Sequence, residues 1–182
     1  MQAAARSTER NLLWIALLTV ATVLATGVFV CAVPVAALAA VAALDSDRAD
    51  GILLLGTIWL TNQVVGFGFL GYPLEAQAFA WGLAMGLGTL AAYFAARVCI
   101  DALAHYGVVA VIGSALPIAF LAYQAVLYAA GMLLPNGEGA FTYAVLAYVG
   151  LVEVVAYIVL LTAHRLAVSA GLLGPNAVEG AV

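Results

Sequence analysis

Long apolar runs separated by short polar segments organise this 182-residue chain. A run of about 20 apolar residues is long enough to cross the ~30 Å hydrocarbon core of a bilayer as a helix. Proline and glycine in the intervening segments end helices and turn the chain. The pattern predicts an all-α, polytopic transmembrane helix bundle in one integral membrane domain, 1–182, with a loose tail over 171–182. The apolar runs are 11–44, 51–70, 76–98, 106–134 and 140–163.

The first run is ambiguous, because its 34 uncharged residues would form a helix of ~51 Å. Two spans, 11–27 and 30–44, fit the bilayer better, with Gly27 and Pro34 bracketing the turn. That choice gives six spans and places all five Arg on one side, which is the cytoplasmic side by the positive-inside rule. The sequence therefore predicts six spans with both termini cytoplasmic, in the cell (inner) membrane. Five spans plus a half-span, or one long tilted helix, remain open.

Composition supports a lipid environment and excludes several functions. The chain is 67% hydrophobic and 8% charged, whereas soluble domains carry roughly 25% charged residues. The lipid bilayer is therefore an expected partner. The chain has no Lys, and its five Arg form no patch, so nucleic acid is not an expected partner. The absence of Lys also excludes a retinal Schiff base.

Polar side chains inside the predicted spans concentrate in the external half of the membrane. Asn62 and Gln63 lie just past the middle of the span 51–70. Two later spans each carry a polar and aromatic stripe at helical spacing. The first stripe is Ser114, Pro117, Leu121, Gln124, Tyr128 and Gly131, and the second is Tyr143, Gly150, Glu153, Tyr157 and His164. Because polar groups in hydrocarbon usually face the bundle interior, these stripes predict either a pocket or an internal hydrogen-bond network.

The candidate ligand-binding residues are the amide, aromatic and acidic side chains of this half. They are Asn62, Gln63, Trp81, Gln124, Tyr128, Tyr143, Glu153 and Tyr157. Glu153 is the only acid at mid-membrane depth, where a charge costs at least ~2.5–3.5 kcal/mol. We expect it to be protonated, paired, or in contact with a cation or a ligand donor.

Small residues predict close helix packing, and catalytic motifs are lacking. Ala78, Gly82 and Gly86 recur every four residues, a spacing that lets helix backbones approach closely in lipid. His105 and His164 fall at the cytoplasmic end, where an interfacial network is the simpler interpretation than a haem site. No paired-carboxylate, zinc, redox or phosphate-loop motif occurs. The sequence therefore predicts no catalytic residues, no metal site, no cofactor and no enzyme activity.

Two classes of function fit this pattern, with a membrane enzyme as a third. The first is a membrane-embedded small-solute binding or uptake protein with an outward-facing polar and aromatic pocket. In span count, length, cytoplasmic termini and polar external half, the chain resembles the substrate-binding S components of energy-coupling-factor vitamin transporters. That resemblance is architectural and implies membrane protein partner subunits that supply energy. The acidic outer loops, with Glu75 and Glu138 and no basic residue, favour a neutral or cationic solute.

The second class is a non-catalytic accessory or assembly subunit of a larger membrane complex, held through its glycine and alanine faces. A cavity separates the two. An outward cavity touching Asn62, Gln124 and Glu153 favours solute uptake, whereas a solid core with exposed small-residue stripes favours the accessory role.

Overall fold

The computed structural model describes residues 33–135, 137 and 139–170, and this part of the chain is all-helical. The predicted span 11–27, the start of the predicted span 30–44, the tail 171–182 and Glu138 lie outside the described residues. The helices are α1 (Val35–Asp45), α2 (Arg48–Gly68), α3 (Ala76–Leu103), α4 (Val108–Leu133) and α5 (Tyr143–Ser169), and a 3₁₀ turn (Ala104–Tyr106) links α3 to α4.

Four of these helices, α2 to α5, are long and apolar enough to cross a membrane. Large apolar side chains are exposed along all four, which suits contact with lipid rather than water. The predicted all-α bundle of membrane helices is therefore confirmed for the described residues. The count of six spans stays a prediction.

Several helix ends differ from the sequence expectation by three to six residues, and α3, for example, ends at Leu103 rather than at residue 98. Helix α2 begins at Arg48 rather than at residue 51, so the charged loop shrinks to Ser46 and Asp47. Asp50 lies in the first turn of α2, where an acid stabilises the partial positive charge of the helix end. Helix α5 continues beyond Arg165 to Ser169, because the intervening residues are compatible with a helix.

Helix α1 is short and lies at the centre of the bundle. Its eleven residues extend ~16 Å, about half of the hydrocarbon core. Every residue from Ala36 to Leu44 is buried, and α1 contacts all of α2 to α5. Six of its eleven residues are Ala, and these small side chains let four helices pack around it. Within the described residues, the element predicted as a span over 30–44 is thus a buried half-length helix.

The N-terminus of α1 is capped by Glu153 from α5. The amide N–H of Ala36 donates to Oε1 at 3.1 Å, and that of Ala37 donates to Oε2 at 2.7 Å. Glu153 is only 2% exposed. A helix leaves its first four N–H groups without backbone acceptors, and water is scarce at this depth. Glu153 therefore supplies two acceptors that the lipid-embedded core otherwise lacks, which makes it a paired acid.

The other end of α1 is held by two basic side chains. His164 Nε2 lies 2.8 Å from Asp45 Oδ2, and Arg97 Nη1 donates to the carbonyl of Ser46 at 2.8 Å. Glu153 and His164 are eleven residues apart, about three helical turns, so they share one face of α5. Helices α1 and α5 therefore run parallel, and this face of α5 holds both ends of α1.

Part of the stripe predicted on α5 is confirmed as the face that α5 turns towards the core. The buried residues of α5 are Glu153, Tyr157 and His164, all members of that stripe. Tyr143, at the start of the stripe, is 89% exposed and does not belong to the core.

The glycines of α3 make room for side chains of α2 rather than for its backbone. A Cβ at Gly82 would overlap the carboxamide of Gln63, and a Cβ at Gly86 would lie 2.9 Å from the indole of Trp59. Trp59 Nε1 also donates to the carbonyl of Gly82 at 2.8 Å. The expectation of close backbone approach along this stripe is corrected accordingly, because large polar and aromatic side chains occupy the space.

Replacing Glu153 by Ala should lower the free energy of unfolding by about 2–4 kcal/mol, since two buried amide N–H groups lose their acceptors. Glu153→Gln should cost less, because its carboxamide oxygen can still accept a hydrogen bond. Thermal unfolding of the purified protein in detergent measures the difference. Val154→Ala, on the exposed side of the same helix, is the matched control. Equal losses for Glu153→Ala and Val154→Ala would contradict the capping role.

Gly86→Ala should destabilise the bundle by about 1–3 kcal/mol relative to Gly56→Ala, because the added methyl group overpacks against Trp59. A Cβ at Gly56 meets nothing within 4 Å. The same unfolding measurement compares the two variants, and equal melting temperatures would show that Trp59 can move aside.

Candidate solute-binding cavity

A cavity of about 330 Å³ lies beside the N-terminal residues of α1, between α2 and α3, with one side chain from α4. This volume is at the small end of the range for ligand sites. Tyr72 and Pro73, from the exposed loop between α2 and α3, are part of its lining. The cavity therefore extends to that end of the bundle, which is the external end in the predicted topology.

Two Trp side chains form walls of the cavity and are fixed by hydrogen bonds. Trp59 Nε1 donates to the Gly82 carbonyl, and Trp81 Nε1 donates to the Pro135 carbonyl at 3.1 Å. Both indole N–H groups are therefore occupied, and both Trp residues line the cavity. Because their orientation is fixed before any ligand binds, little conformational freedom is lost on binding.

Further aromatic side chains shape the rim of the cavity. Phe67 stacks on Phe79 with ring centroids 4.5 Å apart, and it meets Tyr72 edge to face at 5.9 Å. Phe67 and Tyr72 both line the cavity. Such packing holds the rim rings in defined orientations.

Two carboxamides contribute the polar part of the wall. Asn62 and Gln63 both line the cavity and are partly buried. No side-chain hydrogen bond joins either carboxamide to another residue in the part of the chain that the structure describes. The Thr89 hydroxyl, in contrast, donates to the carbonyl of Met85. Each carboxamide offers two N–H donors and one acceptor oxygen, so these two groups are available to a solute or to water.

Tyr123 from α4 completes the lining. Its side chain packs into the space left by Gly88, where a Cβ would lie 2.9 Å from the ring. Tyr123 is only 9% exposed, yet its phenol makes no hydrogen bond to any residue of the described segments. Glu153 is not part of the described lining.

The cavity brings together three of the eight residues that the sequence singled out. Asn62, Gln63 and Trp81 line it. Glu153 caps α1 instead, and Tyr157 donates to the carbonyl of Ile112 at 2.9 Å, so both hold the bundle together.

The remaining three residues lie away from the cavity. Gln124 and Tyr128 belong to a stripe of α4 that is turned away from the buried core of the described residues, and Tyr128 is 53% exposed. The interior position expected for that stripe is thus corrected. Tyr side chains suit the membrane–water interface as well as a core, and Tyr128 meets Phe141 edge to face there. Tyr143 is exposed as well.

Sequence reasoning missed Trp59, Tyr72 and Tyr123. Trp59 lies three and four residues before Asn62 and Gln63, so helical spacing could have placed it on the same face. Tyr123 precedes the expected Gln124 by one residue, which turns its side chain by 100° around the helix. Which of the two faces the cavity depends on how α4 packs, and the sequence does not show that packing.

Among the residues that the structure describes, no three His, Cys, Asp or Glu side chains are placed to hold a metal ion. The chain matches no protein-family model, and no curated protein or solved structure is significantly similar to it. The case for a function therefore depends on the geometry of the cavity.

Proposed function

We propose that this protein is a membrane-embedded small-solute binding or uptake protein whose ligand occupies the cavity between α2 and α3. One observation carries the proposal: fixed indole walls stand beside two carboxamides that have no partner within the described residues. Ligand sites are mostly apolar concavities with a few well-placed polar groups that fix orientation. Neither carboxamide is among the fully buried unpaired groups of the described residues, so both stay accessible from the cavity and can meet a solute there.

The proposed orientation places both termini in the cytoplasm and the cavity at the external face of the cell membrane. In this orientation the Ser46 and Asp47 turn, with Arg97 bound to it, lies at the cytoplasmic end, as the positive-inside rule favours. A solute would then enter from outside past the loop that carries Tyr72. As for the S components that the chain resembles in architecture, partner subunits would supply the energy for uptake.

An accessory role in a larger membrane complex is the second candidate. Helix α5 favours it, because only three of its 27 residues are buried and large apolar side chains such as Leu151 and Val159 are exposed along it. The two functions differ in whether the cavity binds a solute at all.

A thermal-shift screen of the purified protein against water-soluble vitamins, nucleobases and metal ions tests the proposal. We expect a stabilising solute whose affinity falls about tenfold in Asn62→Leu and Gln63→Leu, because each change removes hydrogen bonds worth about 1–1.5 kcal/mol.

Gln124→Leu is the matched control, since it removes an amide of the same kind that lies outside the cavity. It should leave solute affinity unchanged. Weakened binding in Gln124→Leu alone would place the ligand elsewhere. The absence of any stabilising solute in the screen, together with co-purification of a stable partner subunit, would favour the accessory role.

A further inference from the structure

The described lining of the cavity contains no Asp, Glu, Lys, Arg or His side chain. Transfer of an ion from water into an apolar site is expensive unless an opposite charge or several hydrogen bonds compensate for it. Glu153 lies outside the described lining, and both of its carboxyl oxygens already accept amide N–H groups of α1. Among the described residues, the site therefore has no free charge with which to hold a cation or an anion.

The aromatic lining favours a flat molecule. Trp59 comes from α2 and Trp81 from α3, and the N–H group of each indole is bound to a backbone carbonyl. Aromatic side chains with fixed orientation bind planar ligands by stacked or edge-to-face contact. Together with the small volume, these walls suit a compact ring system.

Tyr123 adds a hydrogen-bonding group that the fold itself does not use. More than nine-tenths of this side chain is buried, and its hydroxyl has no hydrogen-bond partner within the described segments. Tyr157 provides the internal comparison, because its hydroxyl donates to the Ile112 carbonyl. The hydroxyl oxygen of Tyr123 is not among the fully buried unpaired atoms of the described residues, so a bound molecule can supply the missing partner. The cavity is where such a molecule can reach it.

We infer that the cavity selects an uncharged, planar heterocyclic solute, whose polar edge is bound by the carboxamides of Asn62 and Gln63 and by the phenol of Tyr123. This inference rests on the proposed solute-binding function and narrows it, because a cationic solute is then excluded. Tyr123 acts as a specificity-determining residue.

The first test needs no ligand. Tyr123→Phe removes a hydroxyl without a partner, whereas Tyr157→Phe removes one that is bonded, so only the second should lower the melting temperature of the solute-free protein. Equal destabilisation by the two variants would show that the Tyr123 phenol is bonded within the protein and would overturn its role.

The second test measures binding by isothermal calorimetry. Three probes share a pyridine ring and differ in charge: neutral nicotinamide, the 1-methylnicotinamide cation and the nicotinate anion. Uracil and adenine serve as further uncharged probes. At least one uncharged probe should bind, and charged forms of the same ring should bind at least tenfold more weakly. Tyr123→Phe should weaken the uncharged probe about three- to tenfold, while Tyr157→Phe should not.

The outcomes separate this inference from the proposed function. Tighter binding of the cationic or anionic probe would overturn the inference and leave solute binding intact. Equal affinity of the wild type and Tyr123→Phe would show that Tyr123 does not bind the solute, and it would leave the role of the carboxamides intact. If none of the probes and none of the solutes in the broad screen bound up to millimolar concentration, both proposals would fail together.

Discussion

The buried N-terminus of α1 is the constraint on which the rest of the bundle depends. A helix that begins inside a lipid-embedded core exposes amide N–H groups where no water can satisfy them. Glu153 meets two of them with its two carboxyl oxygens, and the positive end of the helix favours a negative group at this position. Because α1 contacts each of the four long described helices, this contact helps to hold the centre of the bundle together.

The same constraint divides the bundle into two unlike halves. Along α1 the described residues form a buried core, in which Tyr93 is fully buried and Arg97 donates to both the Tyr93 hydroxyl and the Ser46 carbonyl. Beside the N-terminal residues of α1, the helices α2 and α3 enclose a cavity instead. The buried core along α1 thus lies next to a cavity whose polar side chains remain available for hydrogen bonds. In the proposed function, these available groups are the ones that bind the solute.

Much of this arrangement is visible in the sequence, and the limits have physical causes. Apolar runs predict the long helices, and the unusual depth of Glu153 predicts that it must have a partner. The partner itself could not be predicted, because it is backbone N–H from a residue 116 positions away, and backbone groups leave no sequence signal. Helical spacing correctly placed Glu153, Tyr157 and His164 on one face of α5. It failed for α4, where Gln124 and its neighbour Tyr123 differ by 100° and only tertiary packing decides which one is buried.

The most direct test of the central claim is amide hydrogen exchange at Ala36 and Ala37, resolved by nuclear magnetic resonance or by mass spectrometry of peptides covering α1. In the wild type both amides should be strongly protected. In Glu153→Ala their protection should fall selectively, while amides near Ala42 in the same helix stay protected. Unchanged protection at Ala36 and Ala37 in that variant would contradict the capping of α1 by Glu153, and with it the placement of the cavity beside a helix that begins within the membrane.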